Sequence, residues 1–96
     1  MLILHVTYKC KPNMREAFLE RIRAEGIDEA VRAEDGNIQY DYYIPTDGRD
    51  ELLLLEKCRD ADALAAHAAQ PHMVKLRAIK DEYTTDTLIE KYPVQA

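Results

Sequence analysis

The stretch Glu51–His72, ELLLLEKCRDADALAAHAAQPH, decides how the rest of this 96-residue chain is read. Leu52 to Leu55 run into Glu56, Lys57 and Cys58, Arg59-Asp60 breaks the run, and an alanine-rich segment then carries His67. A short unbroken apolar run bounded by polar residues reads as a strand over Glu51 to Lys57, buried on both faces. The alanines that follow favour a helix, capped by Asp60 or Asp62 and running to about Gln70. Pro71 suits the first turn of a further helix through Met73, Leu76 and Ile79, ending near Tyr83. A buried strand thus feeds directly into helices that present His67 and His72.

Working outward, Leu2 to Cys10 alternates, with Leu4, Val6, Tyr8 and Cys10 on one side and Ile3, His5, Thr7 and Lys9 on the other. That pattern is a strand with one apolar and one mixed face. Lys11-Pro12-Asn13 ends it, and Ala17, Phe18, Ile22 and Ile27 follow at helical spacing opposite a charged face. Gly26 predicts a break, with a second helical piece over Asp28 to Ala33. Glu34-Asp35-Gly36-Asn37 is a turn in which Gly36 is expected to supply positive φ. Next comes a tyrosine-rich strand, with Ile38, Tyr40 and Tyr42 on one side and Gln39, Asp41 and Tyr43 on the other. Pro45-Thr46-Asp47-Gly48 closes a hairpin onto the leucine strand. Thr84 to Tyr92 is the last strand.

The order β-α-β-β-α-β packs most economically as an α+β, ferredoxin-like domain spanning residues 1–96. Its antiparallel four-stranded sheet takes the order 4-1-3-2, with both helical segments on one face. The opposite face is too apolar for water, which predicts a homodimer through the sheet.

Composition narrows the class. At 47% hydrophobic and 32% charged the chain is an ordinary globular domain. A net charge of −5 with scattered cations excludes nucleic acid as a partner. No apolar run approaches the roughly 18 residues of a membrane span. MLILHVTYK lacks a basic leader and a small-residue cleavage site, and reads as a strand that starts at once. Cys10 and Cys58, far apart and without a CxxC, are expected to be free thiols in a reducing cytoplasm. Lying at the C-terminal ends of antiparallel neighbours, they should be too distant to bridge.

Several segments together resemble the antibiotic biosynthesis monooxygenase domain. Ala33-Glu34-Asp35-Gly36-Asn37-Ile38-Gln39-Tyr40 is similar to that family's E-x-G-n-l-x-Y segment, and Glu56-Lys57-Cys58-Arg59-Asp60 to its E-k-W-e-d motif. Ala63-Leu64 through His67, then Pro71-His72, resembles A-l-x-x-H…p-H, and Lys11-Pro12 sits where the family often has a basic residue before Pro-Gly. The resemblance implies a ferredoxin-like protomer whose sheets pack face to face as a dimeric α+β barrel. It also implies one of three chemistries: cofactor-independent oxygenation of quinols or polyketide phenols, isomerisation of a phosphorylated dione, or haem degradation. Fold alone does not select among them. Cys58 replaces the motif's tryptophan, which reshapes a stacking wall for a planar substrate and removes a residue the haem-degrading subgroup uses.

Against that background His67 and His72 are the candidate bases for a phenol or an enolisable carbon, the alternative being packing at a helix junction. Their spacing is not a usual metal pattern and no Cys or carboxylate cluster completes a site, so neither a metal nor a cofactor is expected. Tyr42 is the preferred hydrogen-bond donor on its strand, with Tyr40 assigned to the core. Glu56 shares a strand face with Leu54 and Cys58; among apolar neighbours it would have a raised pKa, or else form a salt bridge across the dimer. His5 and Thr7 either line the same cavity or meet the second sheet. Cys58 is a reactive thiol or, more simply, small buried filler. The leading expectation is a cofactor-free monooxygenase acting on a quinol or related aromatic. The alternatives are an isomerase of a small dicarbonyl, phosphorylated or not, and a non-catalytic ligand-binding dimer. For a phosphate, the plausible cavity cations are Lys9, Arg77 and Lys80.

Overall fold

The computed structural model describes residues 1–95. Its elements are β1 (Leu2–Cys10), α1 (Arg15–Ala24), α2 (Ile27–Arg32), β2 (Asn37–Tyr43), β3 (Glu51–Cys58), α3 (Ala61–Ala68), α4 (Pro71–Ile79) and β4 (Thr84–Pro93), with a 3₁₀ turn over Lys80–Glu82. The strands form one antiparallel sheet in the order β2-β3-β1-β4, the anticipated order read from its other edge. The α+β, ferredoxin-like architecture is therefore the observed one.

Alternation places the core. Leu4, Val6, Tyr8 and Cys10 of β1 and Leu52, Leu54, Glu56 and Cys58 of β3 are all buried. Because successive side chains point to opposite faces, they lie on one side of the sheet, together with buried Tyr40. Phe18 and Ile22 of α1 and Ile27 and Val31 of α2 close over them with no exposure. Phe18 stacks on Tyr83 at 5.5 Å and meets Tyr8 edge-on at 5.2 Å. On the other face Leu53 and Leu55 are only half-buried within one chain, so the leucine strand alternates rather than being covered twice.

Local chemistry sets the boundaries. Gly26 adopts φ +68 between α1 and α2, a conformation costly for other residues, and this separates the two helices. Asp60 is the cap of α3, its carboxylate accepting from the Ala63 N–H at 2.8 Å. The helix stops at Ala68, two residues before the expected Gln70, and Pro71 opens α4.

Two local expectations need correction. Gly36 is not among the positive-φ residues. A side chain there would instead run into the Cβ of Ala63, so glycine is needed for close approach of the β2 turn to α3. A bulge between Asn37 and Gln39 takes Ile38 off the Tyr40 face and leaves it 55% exposed. Period-two counting carries no information about such a bulge. Cys58 pairs with Leu2, eight positions along β1 from Cys10, which separates the thiols by roughly 26 Å at ~3.3 Å per residue. Both cysteines are free.

Candidate active site

Between the inner sheet face and α3 and α4 lies a cavity of about 260 Å³. Leu4 and Val6 of β1 and Leu54 of β3 form its floor, and Leu64, Met73 and Leu76 its roof. Tyr8, Tyr40, Glu56 and His67 supply its inner polar groups. On the open side it is lined by Arg77, Lys80 and Lys91. The arrangement is an apolar slot with a base and an acid at depth and cations at the entrance.

His67 is 6% exposed, and each of its ring nitrogens faces a different carboxylate. Nε2 lies 3.3 Å from Glu56 Oε2, on the cavity side. Nδ1 lies 2.9 and 3.0 Å from the two oxygens of Glu34. Glu34 in turn meets His72 Nε2 at 2.6 Å. The glutamate sits in the turn after α2, and that turn is held to α3 by the glycine contact at Gly36 and by the Arg59 N–H donating to the Gly36 carbonyl at 2.9 Å. Glu34, His67 and His72 are not grouped by sequence; α2, α3 and α4 bring them together.

Their ligand atoms lie within 4.8 Å of one another. His67 Nδ1 and His72 Nε2 each point at a Glu34 oxygen at hydrogen-bond range. The arrangement is a hydrogen-bonded chain in which Glu34 supplies, between the two histidines, a carboxylate that their sequence spacing did not show.

Glu56 is 4% exposed. Burial raises its pKa above the usual carboxylate range; the facing His67 and the Cys58 thiol oppose that rise, and the negative charge of Glu34 adds to it. The Cys58 Sγ donates to Glu56 Oε2 at 3.5 Å. Burial and then the Glu56 charge push that thiol up to about 12, so it stays protonated and unreactive. Burial also raises the Tyr8 and Tyr40 phenols, which remain O–H donors.

The residues singled out from sequence divide in two. His67, Glu56 and Leu54 line the cavity. His72 lies behind it, linked through Glu34, and Cys58 packs beside Glu56 outside the lining. Tyr42 is displaced: its hydroxyl bonds to that of Tyr40 at 2.9 Å, and it is Tyr40 that forms the wall. His5 and Thr7 point to the opposite sheet face, where His5 Nδ1 is 3.4 Å from Glu90 Oε1 and Thr7 is paired with Leu88. Lys9 lies on that face too, so the cavity cations are Arg77, Lys80 and Lys91. Tyr8, Glu34 and Lys91 are the residues that sequence reasoning passed over. For Tyr8 and Lys91 the signal was strand alternation; for Glu34 none was available, because its partners are 33 and 38 residues away.

The family model for antibiotic biosynthesis monooxygenases matches residues 1–78. The chain belongs to the antibiotic biosynthesis monooxygenase family. Two curated family relatives support a monooxygenase-like function by name. "Putative monooxygenase YcnE" of Bacillus subtilis is 35% identical over 72 residues, covering 75% of this chain and 74% of the relative. "Putative monooxygenase Rv0793" of Mycobacterium tuberculosis is 37% identical over 75 residues, covering 78% and 71%. The solved structure of Rv0793 superposes with a TM-score of 0.87 at 29% identity, over 99% of this chain and 95% of that one. PA3566 of Pseudomonas aeruginosa gives 0.87 at 25% identity, over 99% and 94%.

Proposed function

We propose that the protein is a cofactor-independent monooxygenase acting on a quinol or related electron-rich phenol. The observation that carries this reading is His67 Nε2 at the inner wall of an apolar slot, backed by a carboxylate on each side. A phenol bound there loses its proton to the imidazole, and the phenolate becomes electron-rich enough to reduce dioxygen directly. The overall step balances as quinol plus O₂ giving hydroxyquinone plus water: one oxygen atom enters the ring and the other leaves as water. Tyr8 and Tyr40, kept protonated by burial, donate hydrogen bonds to the developing oxyanion. Leu4, Val6 and Leu54 keep water from competing.

The second reading, isomerisation of a small anionic dicarbonyl, is favoured by the cations at the entrance. Arg77, Lys80 and Lys91 face the slot without an ion-pair partner among the described residues, while Arg32, Arg59 and Lys75 are paired elsewhere. A phosphate or carboxylate would settle against them.

We assign a second copy of the chain to the open sheet face, where Leu53 and Leu55 on β3 and Leu88 and Tyr92 on β4 flank Ile3, His5 and Thr7 of β1 by register. Large apolar side chains on both strands flanking β1 favour a self-complementary contact on this face.

The test is oxygen uptake with a panel of quinols, using protein stripped of metal and flavin. Turnover is expected, and His67→Gln should lower kcat by about 10²–10⁴-fold. Undiminished turnover in a His67→Gln, Tyr40→Phe double variant rejects the assignment. Absence of uptake together with proton exchange on a phosphorylated dicarbonyl selects the isomerase.

A further inference from the structure

His67 belongs to two concavities at once. It lines the apolar slot, and it also lines a polar cleft on the outer side of α3 with Glu34, Gln70 and His72. We propose that Glu56, His67, Glu34 and His72 form one proton path through this wall, exchanging protons between the slot and solvent in both directions during turnover. The inference rests on His67 being the base. It adds Glu34 and His72 as positioning and relay residues that never touch the substrate.

The links are 3.3 Å from Glu56 to His67, 2.9 Å from His67 to Glu34 and 2.6 Å from Glu34 to His72. Exposure rises along the path, from 6% at the His67 side chain to 14% at Glu34 and 18% at His72. A proton arriving on His67 Nε2 releases the proton on Nδ1 to Glu34. Glu34 passes it to His72 when that ring presents an unprotonated Nε2, and His72 gives it to water. N–H and O–H bonds are exchanged and no electrons move. The overall step releases no net proton, so a proton that leaves by the path when the phenol is deprotonated returns by it when the second oxygen atom becomes water. The charged and titratable groups facing the path are Asp35 and Arg59 at the cleft, Cys58 beside Glu56, and Tyr40 at 6.3 Å between ring centroids from His67. Arg59 is occupied by Asp35 at 3.0 Å and by Asp60 at 3.3 Å.

The test has two readouts. Imidazole ¹⁵N spectra across pH should show His67 and His72 titrating as a coupled pair, each ring responding to protonation of the other. Glu34→Gln should uncouple them, and His72→Gln should leave His67 with a single step. In quinol-driven oxygen uptake, His72→Gln should shift the pH profile and lower kcat by less than about a hundredfold, with free imidazole restoring it. Independent titration of the two rings in the unaltered protein overturns the path whatever the turnover. An unmoved pH profile in an active His72→Gln variant also overturns it. Coupled titration without turnover on any quinol keeps the path and rejects the oxygenase reading instead.

Discussion

At Glu56, burial and a facing imidazole pull in opposite directions. Burial dominates and its pKa is raised, so around and above the ordinary carboxylate range the native chain holds a proton that the unfolded chain has lost. Its contribution to stability is therefore largest at low pH and falls as pH rises through the raised value. Glu56→Gln should flatten that slope, measured as the difference in urea midpoint between the two proteins from pH 4 to pH 8. An unchanged slope would mean that the ion pair with His67 outweighs desolvation. The thiol beside it explains why the family's tryptophan position tolerates cysteine here: Cys58 packs against the glutamate and does not form the slot wall. From sequence alone Cys58 read both as a change in the stacking wall and, more simply, as small buried filler, and its burial agrees with the second reading. Burial and a single weak donor bond give it a packing role.

Among the elements, alternation in β1 and β3 and the spacing in α1 were readable because each is a local periodicity imposed by one solvent-excluded face. What escaped was whatever depends on two segments meeting. Tyr42 was preferred over Tyr40, yet Tyr40 lines the slot while Tyr42 packs against the core with its hydroxyl bonded to that of Tyr40. Glu34 read as turn sequence, and its role appears only when α2, α3 and α4 converge. Gly36 read as a φ-permissive residue, whereas its function is to let the β2 turn touch α3. Substitutions on that junction should be felt in stability. Asp60→Ala removes the α3 cap and should cost about 1 kcal/mol. Gly36→Ala forces a methyl into Ala63 and should cost about 1–3 kcal/mol. Both are read by urea denaturation, and a neutral Gly36→Ala would show that the turn can move away from α3.

On the scale of the whole molecule, the inner face of the sheet is closed by its own helices and the outer face is not. Leu88 and Tyr92 are exposed there, beside half-buried Leu53 and Leu55. Sedimentation at micromolar concentration should give twice the 11.1 kDa chain mass, and Leu88→Asp should shift it toward one chain. A single-chain mass for the unaltered protein rejects the sheet-to-sheet contact. The slot lies on the helix side, so each copy keeps its own His67, and catalysis in a dissociated Leu88→Asp variant separates assembly from chemistry.

The central position of β1 has a kinetic consequence. Its first residues pair with Cys58 on one side and with Pro93 on the other, so the earliest segment of the chain is completed by one of the last. Closing so long a loop costs entropy before any contact repays it, which places folding on a slower timescale than that of a helical bundle. Until β4 arrives, β1 is an edge strand whose backbone N–H and C=O groups on that side are unpaired. A nascent or truncated chain would thus meet its neighbours through the strand that the finished molecule hides best.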